Sequence, residues 1–258
     1  MGNVDLQGRR VLVIGASSGI GRAVACAAVR AGADTVLAAR RLELLEQAMV
    51  EAGGGVPAVG DISRPEDCER IVAQARQAGG PLDLVVLAAG TGILAPVVDA
   101  DAAAWSAVLA TNLIGVNQLI RQAVPALAEH GVIAALSSET VGRPRMALGL
   151  YGASKAALDQ SLLSWQVEHP ETRFCRVTIG ATQPTGFGDR FESQLLGTAL
   201  EHWVRHGEMQ RRFMAAHEVA EVLLTVLAGA LANPGVNIEQ LRLRSPSPVA
   251  GSLGDIEF

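Results

Sequence analysis

The chain carries a single tyrosine and a single lysine, four residues apart in "GLYGASKAAL": Tyr151 and Lys155. All its other basic side chains, apart from histidine, are arginine. A four-residue separation puts both groups on one face of a helix. A free phenol, with a pKa near ~10, is a poor acid or base at neutral pH. An ammonium held close favours the phenolate, and lowering the phenol by about 3 pKa units takes roughly 4 kcal/mol of differential interaction. Lysine, a compact charge on a flexible stem, suits that task. Nearby candidates are Ser138 of "AALSSETVG" and Asn112 of "TNLIG". Taken singly, each has a bland reading as well: Tyr151 as a core aromatic, Ser138 or Ser137 as a strand-end cap, Asn112 as a hydrogen-bonding helix residue.

Near the start, "VLVIGASSGIG" closes an apolar run and opens a helical stretch, with Gly15, Gly19 and Gly21 spaced G-x-x-x-G-x-G. Glycines there let the backbone turn tightly and approach a pyrophosphate, while the helix N-terminus offers free N–H groups and a favourable dipole. A strand before and a helix after are the context such a motif requires. NAD sites usually carry an acid at the end of the second strand. Here "DTVLAARR" ends in Ala39, Arg40 and Arg41, and Asp34 lies at the other end. Arginine can grip a 2′-phosphate that an acid would repel, so NADP(H) is favoured over NAD(H).

These groups need a scaffold, and the hydrophobic pattern supplies one. Apolar runs at "RVLVIG", "TVLAA", "VPAV", "LDLVVLAAG", "GVIAALSS", "FCRVTIG" and, more weakly, "VNIEQLRL" predict strands. Helical periodicity fills 19–31, 41–53, 65–79, 101–129, 151–169 and 215–232. Alternation of this kind implies right-handed crossovers and a single-domain α/β fold, about seven strands in a doubly wound parallel sheet with helices on both faces. That domain is expected to span 1–243. Within it, 183–207 reads as a long irregular insertion with apolar teeth, a substrate lid, and 244–258 as an extended C-terminal tail.

Composition excludes several classes. Apolar residues make up 49% and aromatics only 3%, so Ala, Val, Leu and Ile must build the core. A net charge of −5 argues against a non-specific polyanion binder, so no nucleic-acid partner is expected. Cys26, Cys68 and Cys175 are too scattered for a disulfide framework or a metal knuckle, which points to a reducing cytoplasm. His130, His169, His202, His206 and His217 show no ligand-like grouping, and no metal is expected. The first residues lack a signal-peptide core, and the longest apolar stretch, near 219–232, is interrupted by Glu221 and short for a bilayer. A soluble protein without a membrane partner is the expectation.

The motifs together resemble the short-chain dehydrogenase/reductase (SDR) family, from about Gly8 to Leu243. "YGASK" matches its Y-x-x-x-K signature, and Ser138 stands thirteen residues before the tyrosine, as the family's catalytic serine does. Asn112 matches its catalytic asparagine. The resemblance implies a Rossmann-type fold and an NAD(P)(H)-dependent oxidoreductase acting on CH–OH and C=O groups, with direct hydride transfer. Tyr151 would be the general acid in ketone reduction and the base in alcohol oxidation. Lys155 would bind the nicotinamide ribose and lower the tyrosine pKa, Ser138 would polarise the substrate oxygen, and Asn112 would hold a relay water. Gly15, Ser17, Ser18, Gly19, Ile20, Gly21, Arg40, Arg41, Asp61, Ile62, Ala89, Gly90, Tyr151, Lys155 and Thr182 would contact the cofactor.

The match also departs from the family pattern. N-N-A-G becomes "LAAG", Leu87 to Gly90, and P-G-x-x-x-T becomes "IGATQPTG", where Thr182 or Thr185 could meet the nicotinamide and Thr182 is the weak preference. An apolar pocket is expected from Ile93, Leu94, Ser138, Met146, Leu148, Phe187, Phe191, Leu195 and Trp203, with Arg143 and Arg145 near enough to meet an anionic group. The substrate is then a ketone or secondary alcohol with an apolar body. A homodimer or homotetramer through the long helices is the family habit. Two other functions stay open: a dinucleotide sensor or scaffold that binds NADP without turnover, and a non-redox lyase or epimerase using the same phenolate.

Overall fold

The computed structural model describes residues 4–257. The seven apolar runs become β1 (Arg10–Ile14), β2 (Asp34–Ala39), β3 (Val56–Val59), β4 (Leu82–Leu87), β5 (Leu127–Ser138), β6 (Arg173–Ile179) and, after a short pair β7 (Thr182–Gln183) and β8 (Met214–Ala215), β9 (Gln240–Leu243). Between them lie α1 (Gly19–Arg30), α2 (Leu42–Ala52), α3 (Pro65–Gln77), α4 (Ala102–Leu109), α5 (Val116–Ala123), α6 (Gly149–Glu168), α7 (Ser193–Arg205) and α8 (Ala216–Ala232). The main sheet is parallel throughout, in the order β3-β2-β1-β4-β5-β6-β9. Chain order reverses between β1 and β4, so the loops after those two strands part and leave a crevice at their C-terminal ends.

Strand periodicity divides the core. Val11 and Val13 of β1 turn towards α1, α2 and α8, whereas Leu12 and Ile14 turn towards α3, α5 and α6. Both faces are therefore covered, which is why these strands read as unbroken apolar runs.

Three stretches differ from expectation. The helix predicted over 101–129 is interrupted: a π-helical turn, Ala110–Gly115, separates α4 from α5, and Val124–Ala126 is 3₁₀ before β5 begins at Leu127. Pro125 cannot supply the N–H that would continue α5. The helical run Ala102–Ala126 is long and apolar enough, with a mean hydropathy of 1.3, to pass for a membrane span by length and composition. Its inner side chains Val108, Val116, Leu119, Ile120 and Ala123 are buried in the protein.

The insertion is only half irregular, because Glu192 accepts hydrogen bonds from the Gln194 and Leu195 N–H groups (2.8 and 2.6 Å) and starts α7. The tail is not a free arm. It bridges Gln210 to Val249 and Arg212 to Glu257, and its Ala250 and Ile256 join Leu94, Leu148, Ala199, Trp203 and Met209 in a third, small apolar core.

Candidate active site

The glycine turn lies at the crevice. Gly15 has φ +84°, and a Cβ there would sit 2.7 Å from the Ala89 nitrogen. A Cβ on Gly21 would strike the Gly15 carbonyl. Only glycine permits this approach to the Ala88–Ala89 backbone, which also binds β1 through Ala88 N–H to the Ile14 carbonyl (2.9 Å). Ser18, the residue before α1, does not turn its hydroxyl back to cap the helix. A side chain thus leaves the first-turn N–H groups to an anion. Ile20 packs at the edge of the core beside them.

At the end of β2, Arg41 reaches Ser17 Oγ at 3.5 Å, and the exposed Arg40 lies 3.8 Å from the Asp61 carboxylate. Asp34, at the other end, is paired with Arg10 at 3.0 Å. Asp61 is held in a tight turn: its N–H donates to Asp67 (2.7 Å) and its carboxylate accepts from the Ser63 N–H and hydroxyl. The first of those bonds, with Arg70 beside it, holds the Asp67 carboxyl below the usual range. Ile62 is buried, its carbonyl facing Gly115 of the π turn, where a side chain would collide. A glycine cradle and uncapped helix N–H groups fit the pyrophosphate of a dinucleotide, with the Arg40 and Arg41 guanidinium groups at the end of β2 beside them.

Ser138 ends β5, and α6 carries Tyr151 and Lys155 beside it. The Ser138 hydroxyl lies near enough to the Tyr151 phenol to favour its ionised form. The Ser138 oxygen also accepts from Thr140 twice, from its N–H (3.2 Å) and its hydroxyl (2.9 Å). Lys155 Nζ donates to the Leu136 carbonyl (2.8 Å) and stands 6.0 Å from the centre of the phenol ring. Burial pushes the Tyr151 phenol up to about 12, with the nearby Ser138 hydroxyl working the other way. Burial also brings the Lys155 amine down to about 8, opposed by the Asp159 carboxylate. The expected depression of the phenol by the ammonium is therefore not seen in this state, where desolvation is the larger effect. The phenol stands protonated, the form a general acid requires.

Asn112 is fully engaged. Its Oδ1 accepts from the Thr91 N–H (2.8 Å), and its Nδ2 donates to the Thr91 carbonyl (2.8 Å) and to Ser154 Oγ (2.9 Å). Both hydrogens of its side-chain amide are thereby used, so a relay water at Asn112 would donate to one of its oxygens. It is a strut between the loop after β4 and α6. Gly90 fills the gap: a Cβ there would lie 3.5 Å from both Asn112 Oδ1 and Lys155 Nζ.

The insertion closes over this centre. Phe187 packs on Tyr151 with ring centres 4.7 Å apart, and Phe191 meets Phe187 edge-on at 5.3 Å. Thr185 lies against Gly19 of the glycine turn, its Cβ 3.2 Å from where a glycine side chain would begin. Thr182 is placed elsewhere: it pairs with Met214 in the β7–β8 ladder and gives its hydroxyl to the Gly180 carbonyl (3.0 Å). The residue facing the turn is thus Thr185, because that pairing carries Thr182 to one side.

Of the expected pocket residues, Leu94, Leu148 and Trp203 are buried in the small third core, while Met146, Phe187, Phe191 and Leu195 form its partly exposed edge. Ile93 lies outside that cluster. Trp203 anchors α7 rather than lining a pocket, donating its indole N–H to the Met146 carbonyl (3.0 Å) beneath the Arg145 guanidinium. Arg145 is spent on an ion pair with buried Glu139 and a bond to the Glu208 carbonyl (2.9 Å), so it is not offered to a ligand; Arg143 is exposed. Thr185 is the second of the two threonines offered by the sequence after β6, whereas Thr140 carried no sequence signal beyond lying two residues after Ser138. Among the described residues, no group of three or more His, Cys, Asp or Glu side chains converges as a metal site would.

A 25% identical alcohol dehydrogenase from Thermococcus sibiricus, solved with 5-hydroxy-NADP, superposes with a TM-score of 0.79 over 92% of this chain and 97% of its own. A short chain dehydrogenase from Burkholderia cenocepacia, in complex with NADP, gives 0.78 at 25% identity over 96% and 98%. In sequence, the glucose 1-dehydrogenase of Gluconobacter oxydans is 36% identical over 67% of this chain and 68% of its own length. A short chain dehydrogenase of Pseudocercospora fijiensis (35% identical over 60% of this chain) and an 11-beta-hydroxysteroid dehydrogenase of Sesamum indicum (34% over 68%) are each matched over 53% of their length, so the chain spans about half of these relatives. The short chain dehydrogenase family model matches residues 9–195. With the sheet order, the glycine turn and the Ser138–Tyr151–Lys155 cluster, this places the chain in the short-chain dehydrogenase/reductase family.

Proposed function

We propose that the protein is an NADP(H)-dependent oxidoreductase that reduces a ketone with an apolar body to a secondary alcohol, or runs the reverse reaction. The observation that carries this reading is the Tyr151 phenol set close to Ser138 beside a glycine cradle, with Lys155 one helical turn further on. The cofactor, when bound, supplies the hydride. Gly15 to Gly21 would hold its pyrophosphate, Arg40 and Arg41 its extra phosphate, and Lys155 its ribose.

In reduction, the Ser138 hydroxyl donates a hydrogen bond to the substrate oxygen and polarises it where negative charge develops. Tyr151 gives its proton to that oxygen, and in the reverse direction takes one. Lys155 places a positive charge near the phenolate left behind, which is the moment at which its effect on the phenol matters. Asn112 fixes α6 in register with the loop after β4. Phe187 must leave the phenol face before a substrate reaches it. Met146, Phe191 and Leu195 then offer an apolar wall.

The names of the relatives, dehydrogenases of an alcohol, of glucose and of a hydroxysteroid, support a substrate bearing a hydroxyl or carbonyl. The NADP in two solved neighbours supports the role given to Arg40 and Arg41. Self-association is part of the same proposal, supported by exposed Ile114, Leu163 and Val167 on the helices around α6. A reducing, cytoplasmic setting is supported by three free, buried cysteines.

Incubation with NADPH and a panel of apolar ketones, followed by product analysis, tests the reading. It requires one alcohol formed per NADPH consumed. A changed substrate with no cofactor consumed would favour the lyase or epimerase; tight NADPH binding without conversion would favour the sensor.

A further inference from the structure

We infer that Thr140 is a positioning residue that aims the Ser138 proton at the reacting oxygen; the inference rests on the reductase reading. A serine oxygen has two lone pairs and one proton. Both lone pairs of Ser138 are taken by Thr140, one by its N–H at 3.2 Å and one by its hydroxyl at 2.9 Å. The N–H can only donate. With both acceptor directions filled, the Ser138 proton is left to point into the site, towards the phenol oxygen before a substrate binds and towards the substrate oxygen afterwards. Tyr151 then has its own proton free to point outward, to where a carbonyl oxygen would sit. Donor polarity therefore runs from Thr140 to Ser138, and from Ser138 and Tyr151 alike towards the substrate oxygen.

The opposite assignment is chemically distinct. Were the Thr140 hydroxyl the acceptor, Ser138 would spend its proton on it, and Thr140 would compete with the substrate. Thr140 is buried on the turn that follows β5, two residues beyond Ser138, so water is kept from scrambling these directions.

Thr140→Val keeps the shape and the N–H but removes the hydroxyl; Thr140→Ser keeps the hydroxyl. Two readouts are taken on the full chain: kcat and KM for ketone reduction with NADPH, and phenolate ultraviolet absorbance after a rapid pH jump. The second reports on Tyr151 alone, because it is the only tyrosine. Thr140→Val is expected to lower kcat several-fold to about tenfold with KM within about twofold. The phenol midpoint should also move upward, since a less well-aimed Ser138 stabilises the phenolate less. Thr140→Ser should restore both. An unchanged or increased kcat with an unmoved phenol in Thr140→Val would overturn the inference. So would a Thr140→Ser variant as impaired as Thr140→Val. If Thr140→Val fails to fold, judged by its circular dichroism melt, Thr140→Ala takes its place. If the wild type reduces no ketone, the reductase reading fails, yet the phenol titration still decides the role of Thr140.

Discussion

Lys155 is the only lysine, and it is buried, so replacing it by methionine removes one well-defined titration. Desolvation lowers its pKa from 10.5 to about 8. That difference corresponds to about 3 kcal/mol in favour of the neutral amine in the folded state. Below about pH 8 both folded and unfolded chains carry the proton, and the burial cost is present in full. Between about pH 8 and pH 10 the unfolded chain binds more protons than the folded one, so stability rises with pH. Tyr151 acts in the opposite sense only above about pH 10, because its folded value near 12 exceeds the ordinary 10.0. Urea unfolding of wild type and Lys155→Met at about pH 7, 8, 9 and 10 isolates the effect, since the other groups cancel in the difference. Wild type should gain on order of 2–3 kcal/mol relative to the variant across that range, and Lys155→Met should be the more stable protein at about pH 7 while losing activity. Parallel pH profiles, or a variant much less stable at about pH 7, would refute the placement of a desolvated amine here.

Other outcomes follow from the same geometry. Phe187→Ala should uncover the phenol and bring its midpoint down from about 12 towards the ordinary value, read by phenolate absorbance; an unmoved midpoint would show that Phe187 is not what desolvates it. Replacing Arg40 and Arg41 together by serine should weaken NADPH binding roughly 10- to 100-fold and NADH binding less than about threefold, measured calorimetrically; equal losses would remove the 2′-phosphate role. Trp203→Ala should cost about 3–5 kcal/mol locally, seen as faster hydrogen exchange in 193–205 and 244–257 with the sheet unaffected. Uniform acceleration would mean that the small core is not a separate unit.

Much of this was legible because it depends on short-range pattern. The central strands β1 and β4 are apolar on both faces, so Val11 to Ile14 or Leu84 to Leu87 announce themselves without knowledge of their neighbours. The glycine turn and the Tyr151–Lys155 spacing are likewise local. What stayed hidden was decided by distant partners. Thr182 and Thr185 have the same chemistry, and only the pairing of β7 with a strand some thirty residues on settles which faces the turn. The start of α7 was masked by the Thr, Pro and Gly residues before it, although Leu195, Ala199 and Trp203 keep helical period. The cover over the Tyr151 ring comes from Phe187, far along the chain, and Asn112 gave no sign that Thr91 and Ser154 would use up its amide hydrogens.

The central claim is that Tyr151 is the proton donor in a cofactor-dependent reduction. NADPH oxidation over apolar ketones by wild type and Tyr151→Phe, with NADPH affinity measured for both, tests it directly. The expected result is turnover by wild type that falls by about 10²- to 10⁴-fold in the variant, with cofactor affinity changed by no more than about twofold. Equal rates in the two proteins would contradict it.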